Sequence, residues 1–269
     1  MKKIFALLLA LFICFGVFTA CGKEKEDDGR IDSAEQMDYT VFEKAMEKTQ
    51  ELDSLYATMK MDISMSAEGI SMEIPVDMIL KIKDVKSENP VIYANVSMTM
   101  MGMNVQSEMY QEDGWGYYIN NGEKYKVNLA EEVGLDYTHN LESLIQELPE
   151  KIMKKAKIKS KADGSMTLTV SLEEGDVKEY FGEYMADMGY GIDNAAIKKA
   201  TVSMTAKNGY LTFYEIDMEM DIEVEGIVTN GRAKISATYE NPGKEVKITP
   251  PAGYKEFPDR SGADDFISG

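Results

Sequence analysis

The stretch S-M-T-M-M-G-M at 97–103 crowds four thioethers, Met98, Met100, Met101 and Met103, into seven residues. Two or three thioethers converging on one point, often with an imidazole, make a Cu(I) site. The chain's one histidine, His139 in D-Y-T-H-N-L-E-S, is distant in sequence, and the methionines are spread over nearly every alternating segment. Two readings remain for them: ordinary strand core, or a soft surface that repacks around apolar ligands. A second candidate for chemistry is the acidic row Glu215, Asp217, Glu219, Asp221, Glu223 and Glu225, which alternates with Ile216, Met218, Met220, Ile222 and Val224. Side chains on one face of a strand stand ~6.6 Å apart, too wide to wrap Ca²⁺ without loop ligands. The row therefore reads as a solvated strand face, and neither a metal nor a cofactor is expected.

Catalytic motifs are missing as well. The chain has no G-x-S-x-G elbow, H-E-x-x-H, Walker loop or G-x-G-x-x-G. His139 reads as a polar residue in the first turn of a helix. Trp115 stands between Gly114 and Gly116, where it would either stack on a ligand or pack on a sheet beside a turn; the second fits an aromatic next to a hairpin. No enzymatic activity is expected.

One cysteine does point to a modification. Residues 1–20 read M-K-K-I-F-A-L-L-L-A-L-F-I-C-F-G-V-F-T-A: two lysines, an apolar run, a small residue at its end. That is a secretory signal, too short for a comfortable membrane span. Ordinary cleavage wants a small residue at −3, but Phe18 stands there, and F-T-A-C resembles a bacterial lipobox with Cys21 as the diacylated mature N-terminus. The alternative is a plain secreted protein with Cys21 placed by chance. Cys14 is lost with the signal, so Cys21 has no disulfide partner. Two acyl chains suffice for stable anchoring to the cell membrane on its extracytoplasmic side. Removing Lys2 and Lys3 leaves 27 Lys and Arg against 47 Asp and Glu, a net charge of −20. That excess argues against nucleic acid and against flat docking on anionic lipid.

The elements that would position these residues follow from periodicity. Residues 1–20 form the signal, 21–36 a charged tether, 37–258 one domain, and 259–269 a disordered tail. Phe42, Ala45, Met46, Thr49 and Leu52 recur at helical spacing, predicting a helix over 39–54. The period then becomes two. Met59, Met61 and Ile63 share one face with Ala57 and Met65; after Gly69, Met72, Ile74 and Met78 continue the pattern, and Pro75 implies a bulge or an unpaired edge position. Further hairpins turn at Gly102, Asn121-Gly122, Asp163-Gly164 and Asn208-Gly209. Helices are expected at 138–156 and 176–188, and a short strand at 246–248. A weak repeat, Ser-Met-Ser/Thr running into a turn glycine, begins at Ser64, Ser97 and Ser203. The fold class is α+β: a large curved antiparallel sheet of about eleven strands, a half-barrel, with an N-terminal helix and two further helices over its concave face.

This layout resembles the LolA/LppX-like lipoprotein carriers. The resemblance rests on A-M-E-K-T-Q-E-L-D-S-L-Y-A-T-M-K-M-D-I from Ala45, an amphipathic helix, a turn and an alternating first strand. It covers 38–257 and is architectural rather than residue-specific. Within the group it looks most like Gram-positive lipoproteins of uncharacterised role. It implies a monomeric carrier whose cavity accommodates a lipid or another hydrophobic ligand. The expected lining is Met59, Met61, Ile63, Met72, Ile74, Met78, Met98, Ile216, Met218 and Met220. A structural or protein-interaction lipoprotein of the envelope, with the same sheet closed over a packed core, is the competing expectation.

Overall fold

A computed structural model describes residues 34–67, 70–87, 89–100, 102–130, 150–177, 195–224 and 227–261. The described residues open with helix α1, Ala34–Gln50. It buries Phe42, Ala45, Met46 and Thr49, one stripe at three- and four-residue steps. The helix begins inside the stretch expected as tether and stops before the expected 54. The Leu52 N–H closes a last turn on the Thr49 carbonyl (3.3 Å), and strand β1 starts at Ser54.

Two antiparallel meanders follow. The first is β1 (Ser54–Ala67), β2 (Ile70–Lys83), β3 (Val91–Met100), β4 (Met103–Glu112), β5 (Trp115–Asn120) and β6 (Glu123–Asn128). A short helix α2 (Glu150–Met153) leads into the second: β7 (Lys157–Ser160), β8 (Met166–Glu173), a helical turn at 174–177, then β9 (Ala195–Lys207), β10 (Tyr210–Val224) and β11 (Ile227–Tyr239). The first strand pairs with the last, β1 with β11, so the meanders join into one open, curved sheet of eleven strands, ordered β6-β5-β4-β3-β2-β1-β11-β10-β9-β8-β7. The expected fold class holds. The remainder of the helices expected at 138–156 and 176–188 lies outside the described residues.

Turn chemistry sets the hairpins. Asn121 and Gly122 take φ 48° and 89°, and Asn208 and Gly209 take 54° and 76°. Two successive left-handed residues match the right-handed twist of the strands they join. Pro75 makes no bulge. The β1–β2 register runs through it unbroken, opposite Asp62, and the β2–β3 ladder begins only at Val76. The missing N–H thus meets a position without a partner strand.

α1 packs against β9 and β10 and defines the inner face of the sheet. Thr49 pins it there: its hydroxyl donates to the Ala45 carbonyl (2.6 Å) and accepts the Leu211 N–H (2.9 Å), beside a register shift in β10.

The C-terminal segment runs on the outer face. Residues 246–248, expected as a strand, join no ladder; Val246 is buried, and Ile248 packs with Tyr254 against Tyr110, Tyr117 and Phe257. The expected boundary at 258 is also passed. Lys126 donates its N–H to the Pro258 carbonyl (2.8 Å) and accepts that of Arg260 (2.9 Å), Arg260 pairs with Glu123, and Ser261 Oγ accepts the Asn128 N–H (2.7 Å). Residues 258–261 thus cover the edge of β6, which would otherwise present unpaired backbone groups.

Candidate functional site

Residues directly opposite in antiparallel ladders share a face, and the registers bring all ten expected lining residues onto the inner face. Read across β2, β1, β11, β10 and β9, they form rungs. One rung is Ile74, Ile63, Ala233, Met218 and Ala200; the next is Val76, Met61, Ile235, Ile216 and Val202, extended by Met98 on β3. Every member of both rungs is buried. Met78, Met59, Ala237, Tyr214 and Met204 make a third rung, of which only Met78 is half-buried.

The rung nearest the β1–β2 turn differs. Met72, Met65, Gly231, Met220 and Ile197 lie in register across five strands, and all are half-buried. This is where the apolar face opens.

β11 gives the face its relief. Its inward residues include Gly231, Ala233 and Ala237, while its neighbours carry Met59, Met61 and Met65 on one side and Met218 and Met220 on the other. Gly231, between Met65 and Met220, and Ala233, between Ile63 and Met218, leave a short furrow at the open end of β11, which Ile235 closes. Long unbranched thioethers flank it and can fill or vacate it by rotamer change.

The inner face becomes polar towards β6. Ser107 Oγ donates to Asn120 Oδ1 (2.5 Å), and Asn120 Nδ2 donates to the Tyr125 hydroxyl (2.6 Å). Gln111, on the same face, is buried with its Oε1 unpartnered. Tyr118 and Tyr125 stack with centroids 5.2 Å apart. Sequence reasoning missed this group because Ser, Asn and Gln at alternating positions look like any solvated strand face.

Glu215, Asp217, Glu219 and Asp221 lie on the outer face of β10, with one feature that alternation did not reveal, and Glu225 lies outside the described residues. Across the outer face Lys234 reaches Glu215 (3.2 Å), Arg232 reaches Asp217 (2.5 Å) and Lys198, bulged out of β9, reaches Asp221 (2.7 Å). The Arg232 guanidinium, through its hydrogen bonds, holds the Asp217 carboxyl below the usual range. The signal was present in the alternate cations of T-N-G-R-A-K. A cleft of about 450 Å³ lies at this end, lined by Ser64, Met65, Glu73, Glu219, Met220 and Gly231 among others. Among the described residues no cluster of His, Cys, Asp and Glu could hold a metal ion.

The thioether stretch resolves into a hairpin. Met98 and Met100 are buried on the inner face, Met103 is 56% exposed across the turn from Met100, and Gly102 takes the left-handed conformation at φ 77°. The Ser-Met repeat places Met65, Met98 and Met204 on that same face. Trp115 begins β5 on the outer face, packed on the Tyr110, Tyr117 and Phe257 cluster with Lys126 Nζ 5.1 Å from its ring centre. Met101, His139, the signal at 1–20 and the expected lipidation site Cys21 lie outside the described residues. No helix among the described residues is long and apolar enough to cross a membrane.

A family model described as a family of unknown function, DUF6612, matches residues 38–255. No curated protein matches the chain in sequence. Among solved structures, LprF from Mycobacterium bovis is similar at 14% identity and TM-score 0.44, over 81% of this chain and 98% of that one. A DUF1329 family protein from Desulfovibrio piger is similar at 8% identity and TM-score 0.25, over 78% and 94%. The ywiB protein from Bacillus subtilis is similar at 8% identity and TM-score 0.22, over 70% and 94%.

Proposed function

We propose, for this chain that belongs to DUF6612, a family of unknown function, the role of a membrane-anchored extracytoplasmic lipoprotein that holds an apolar or acylated ligand without covalent chemistry. The observation that carries this reading is the short furrow at the end of β11, where Gly231 and Ala233 lie among Met65, Met218 and Met220, open at the rung of Met65, Met72 and Met220. An acyl chain laid there removes ~25 cal/mol per Å² of apolar surface from water. The methionines that fill the furrow in its absence rearrange at little cost because Met tolerates repacking. The anchor is Cys21, and residues up to α1 tether the domain to the bilayer.

The burial of seven of the ten lining residues supports the competing reading, an envelope interaction protein with a closed core. Native mass spectrometry of the full chain, made in a bacterium that processes lipoproteins, separates the two. We expect a retained acyl-bearing species beyond the covalent anchor, and its loss in Met61→Gln and in Ala233→Leu, which blocks the furrow. A folded wild-type chain that carries no lipid and takes up no fluorescent fatty acid saturably leaves the interaction reading standing. Cys21→Ala tests the anchor separately: the chain should leave the membrane or persist as unprocessed precursor.

A further inference from the structure

The second meander ends in a concentration of positive charge. Residues 151–161, K-I-M-K-K-A-K-I-K-S-K, carry six lysines and no acid, in a chain of net charge −18. β7 is the last strand of the sheet, and Lys157, Lys159 and Lys161 are exposed. The registers set Lys157 beside Thr169 and Ser203, and Lys159 beside Thr167 and Thr205, all on the outer face. Ser171 and Thr201 continue that face, followed by Glu173 and Lys199. The hydroxyls are ordered by contacts between Thr167 and Thr205 (3.0 Å) and between Thr169 and Ser203 (3.3 Å).

Carboxylates flank this surface: on the β10 side Glu215 lies beside Ser203, Asp217 beside Thr201 and Glu219 beside Lys199. Asp163 is held by Lys207 (2.9 Å) and Asp176 by Lys155 (2.5 Å), while Glu173 closes the upper end. Lys157, Lys159 and Lys161 make no ion pair with the described residues, while Lys199 stands between Glu173 and Glu219 and within electrostatic reach of Asp217. On the next strand, β10, Asp221, Asp217 and Glu215 are matched by Lys198, Arg232 and Lys234.

We propose that the lysine-and-hydroxyl edge formed by β7, β8 and β9 is a docking surface for an anionic phospholipid bilayer. Ammonium and hydroxyl groups both donate to phosphate oxygens, and no unpaired carboxylate interrupts the middle of the patch. Lysines on an edge strand also discourage strand addition, but that role needs neither the hydroxyl face of β8 and β9 nor Lys199. The chain's overall negative charge does not oppose contact at this edge. At physiological salt, charges more than about 8 Å apart are largely screened, so the lysines dominate what the edge meets. Each lysine near an anionic surface strengthens attraction roughly five-fold. From Cys21 to Ala34 the extended backbone reaches about 45 Å, so the edge can lie on the bilayer that holds the anchor. That reach rests on the anchor proposed above; the patch does not.

The test reconstitutes the full chain with vesicles of phosphatidylcholine alone or with three parts in ten phosphatidylglycerol, and maps lysine labelling by an amine-reactive reagent with mass spectrometry. In phosphatidylglycerol vesicles, labelling of Lys157, Lys159, Lys161 and Lys199 should fall at least three-fold against Lys60 and Lys244, and 0.5 M NaCl should restore it. The triple variant Lys157→Gln, Lys159→Gln, Lys161→Gln should lose the protection of Lys199 while keeping its circular dichroism spectrum. Flotation with neutral vesicles reports the anchor alone; if it fails there, salt-sensitive protection by phosphatidylglycerol still reads the edge. Equal labelling in both vesicle types at low salt overturns the proposal.

Discussion

On β1 the inward Met59, Met61 and Ile63 are buried and the outward Lys60 and Asp62 are exposed. On β5 the sides trade roles. Its outward Tyr117 is buried beneath Tyr254 and Phe257, with ring centres 4.8 and 6.4 Å away, while its inward Asn120 joins the polar chain with Ser107 and Tyr125. One continuous sheet thus has its dry side inside in the body and a second dry patch outside in the wing of β4–β6. Burial follows whatever element lies over a face. In the body α1 lies over β9 and β10; in the wing the cover is the C-terminal segment, tied down by the Tyr254 hydroxyl on Glu112 (2.6 Å). The body was read as the ligand-holding part because its face is lined by adaptable methionine. The wing is built from rigid rings in edge-on contact, which suits a clasp.

The sharpest way to break the comparison is to remove one anchor from each cover. Phe42 is fully buried in α1, and Phe42→Ala should cost about 3–5 kcal/mol and lower the urea midpoint of the whole domain. Phe257→Ala should cost less, about 2–3 kcal/mol, because the outer-face cluster has solvent beside it and can collapse. Hydrogen exchange should then rise in β5 and β6 while β1, β10 and β11 keep their protection. Equal loss of protection everywhere would mean that body and wing form one cooperative unit.

A subtler change acts on how α1 is held. Thr49→Val keeps the volume of the side chain but leaves the Leu211 N–H without its acceptor. An unsatisfied buried donor costs about 1–3 kcal/mol. The loss should appear as a lower urea midpoint with an unchanged slope. A variant as stable as wild type would show that β10 finds another acceptor at its register shift.

The body was legible in sequence and the wing was not, for a physical reason. Strict alternation in Ala57–Met65, Ile70–Ile82 and Ile216–Val224 assigns one face unambiguously, and the Asn-Gly and Asp-Gly turns fix where strands reverse. In G-W-G-Y-Y-I-N rings point to both sides, so the pattern does not say which is covered. The covering residues, Tyr254 and Phe257, come from the far end of the chain. Helical spacing places Thr49 in the buried stripe but does not reveal that it makes the polar contact that docks α1. Whole-chain charge hid the lysine edge, because an average over 269 residues erases an eleven-residue run.

The smallest expected effect concerns the wing alone and has a defined pH window. The Tyr254 hydroxyl is pushed up to about 12, first by its hydrogen bond to Glu112, then by burial and by the Glu112 charge. An unfolded tyrosine titrates near ~10, so folding favours the neutral phenol. The stability this contributes is complete below pH ~10 and is lost as pH rises towards about 12. Trp115 is the chain's one tryptophan and packs on the same cluster, so its emission reports the wing without interference from the body. Between pH 10 and 12 that emission should shift towards the solvent-exposed value while the β-sheet signal in circular dichroism persists. Tyr110, raised chiefly by burial, and Lys126 beside Trp115 also lie near the reporter. Tyr117, also raised chiefly by burial, and these two groups all remain in Tyr254→Phe, so the difference between variant and wild type reports the loss of the Tyr254 hydroxyl with its bond to Glu112. The variant should show a weaker shift. The same midpoint and amplitude in both proteins would mean that the clasp is held by ring packing, with the hydrogen bond contributing nothing to the alkaline response.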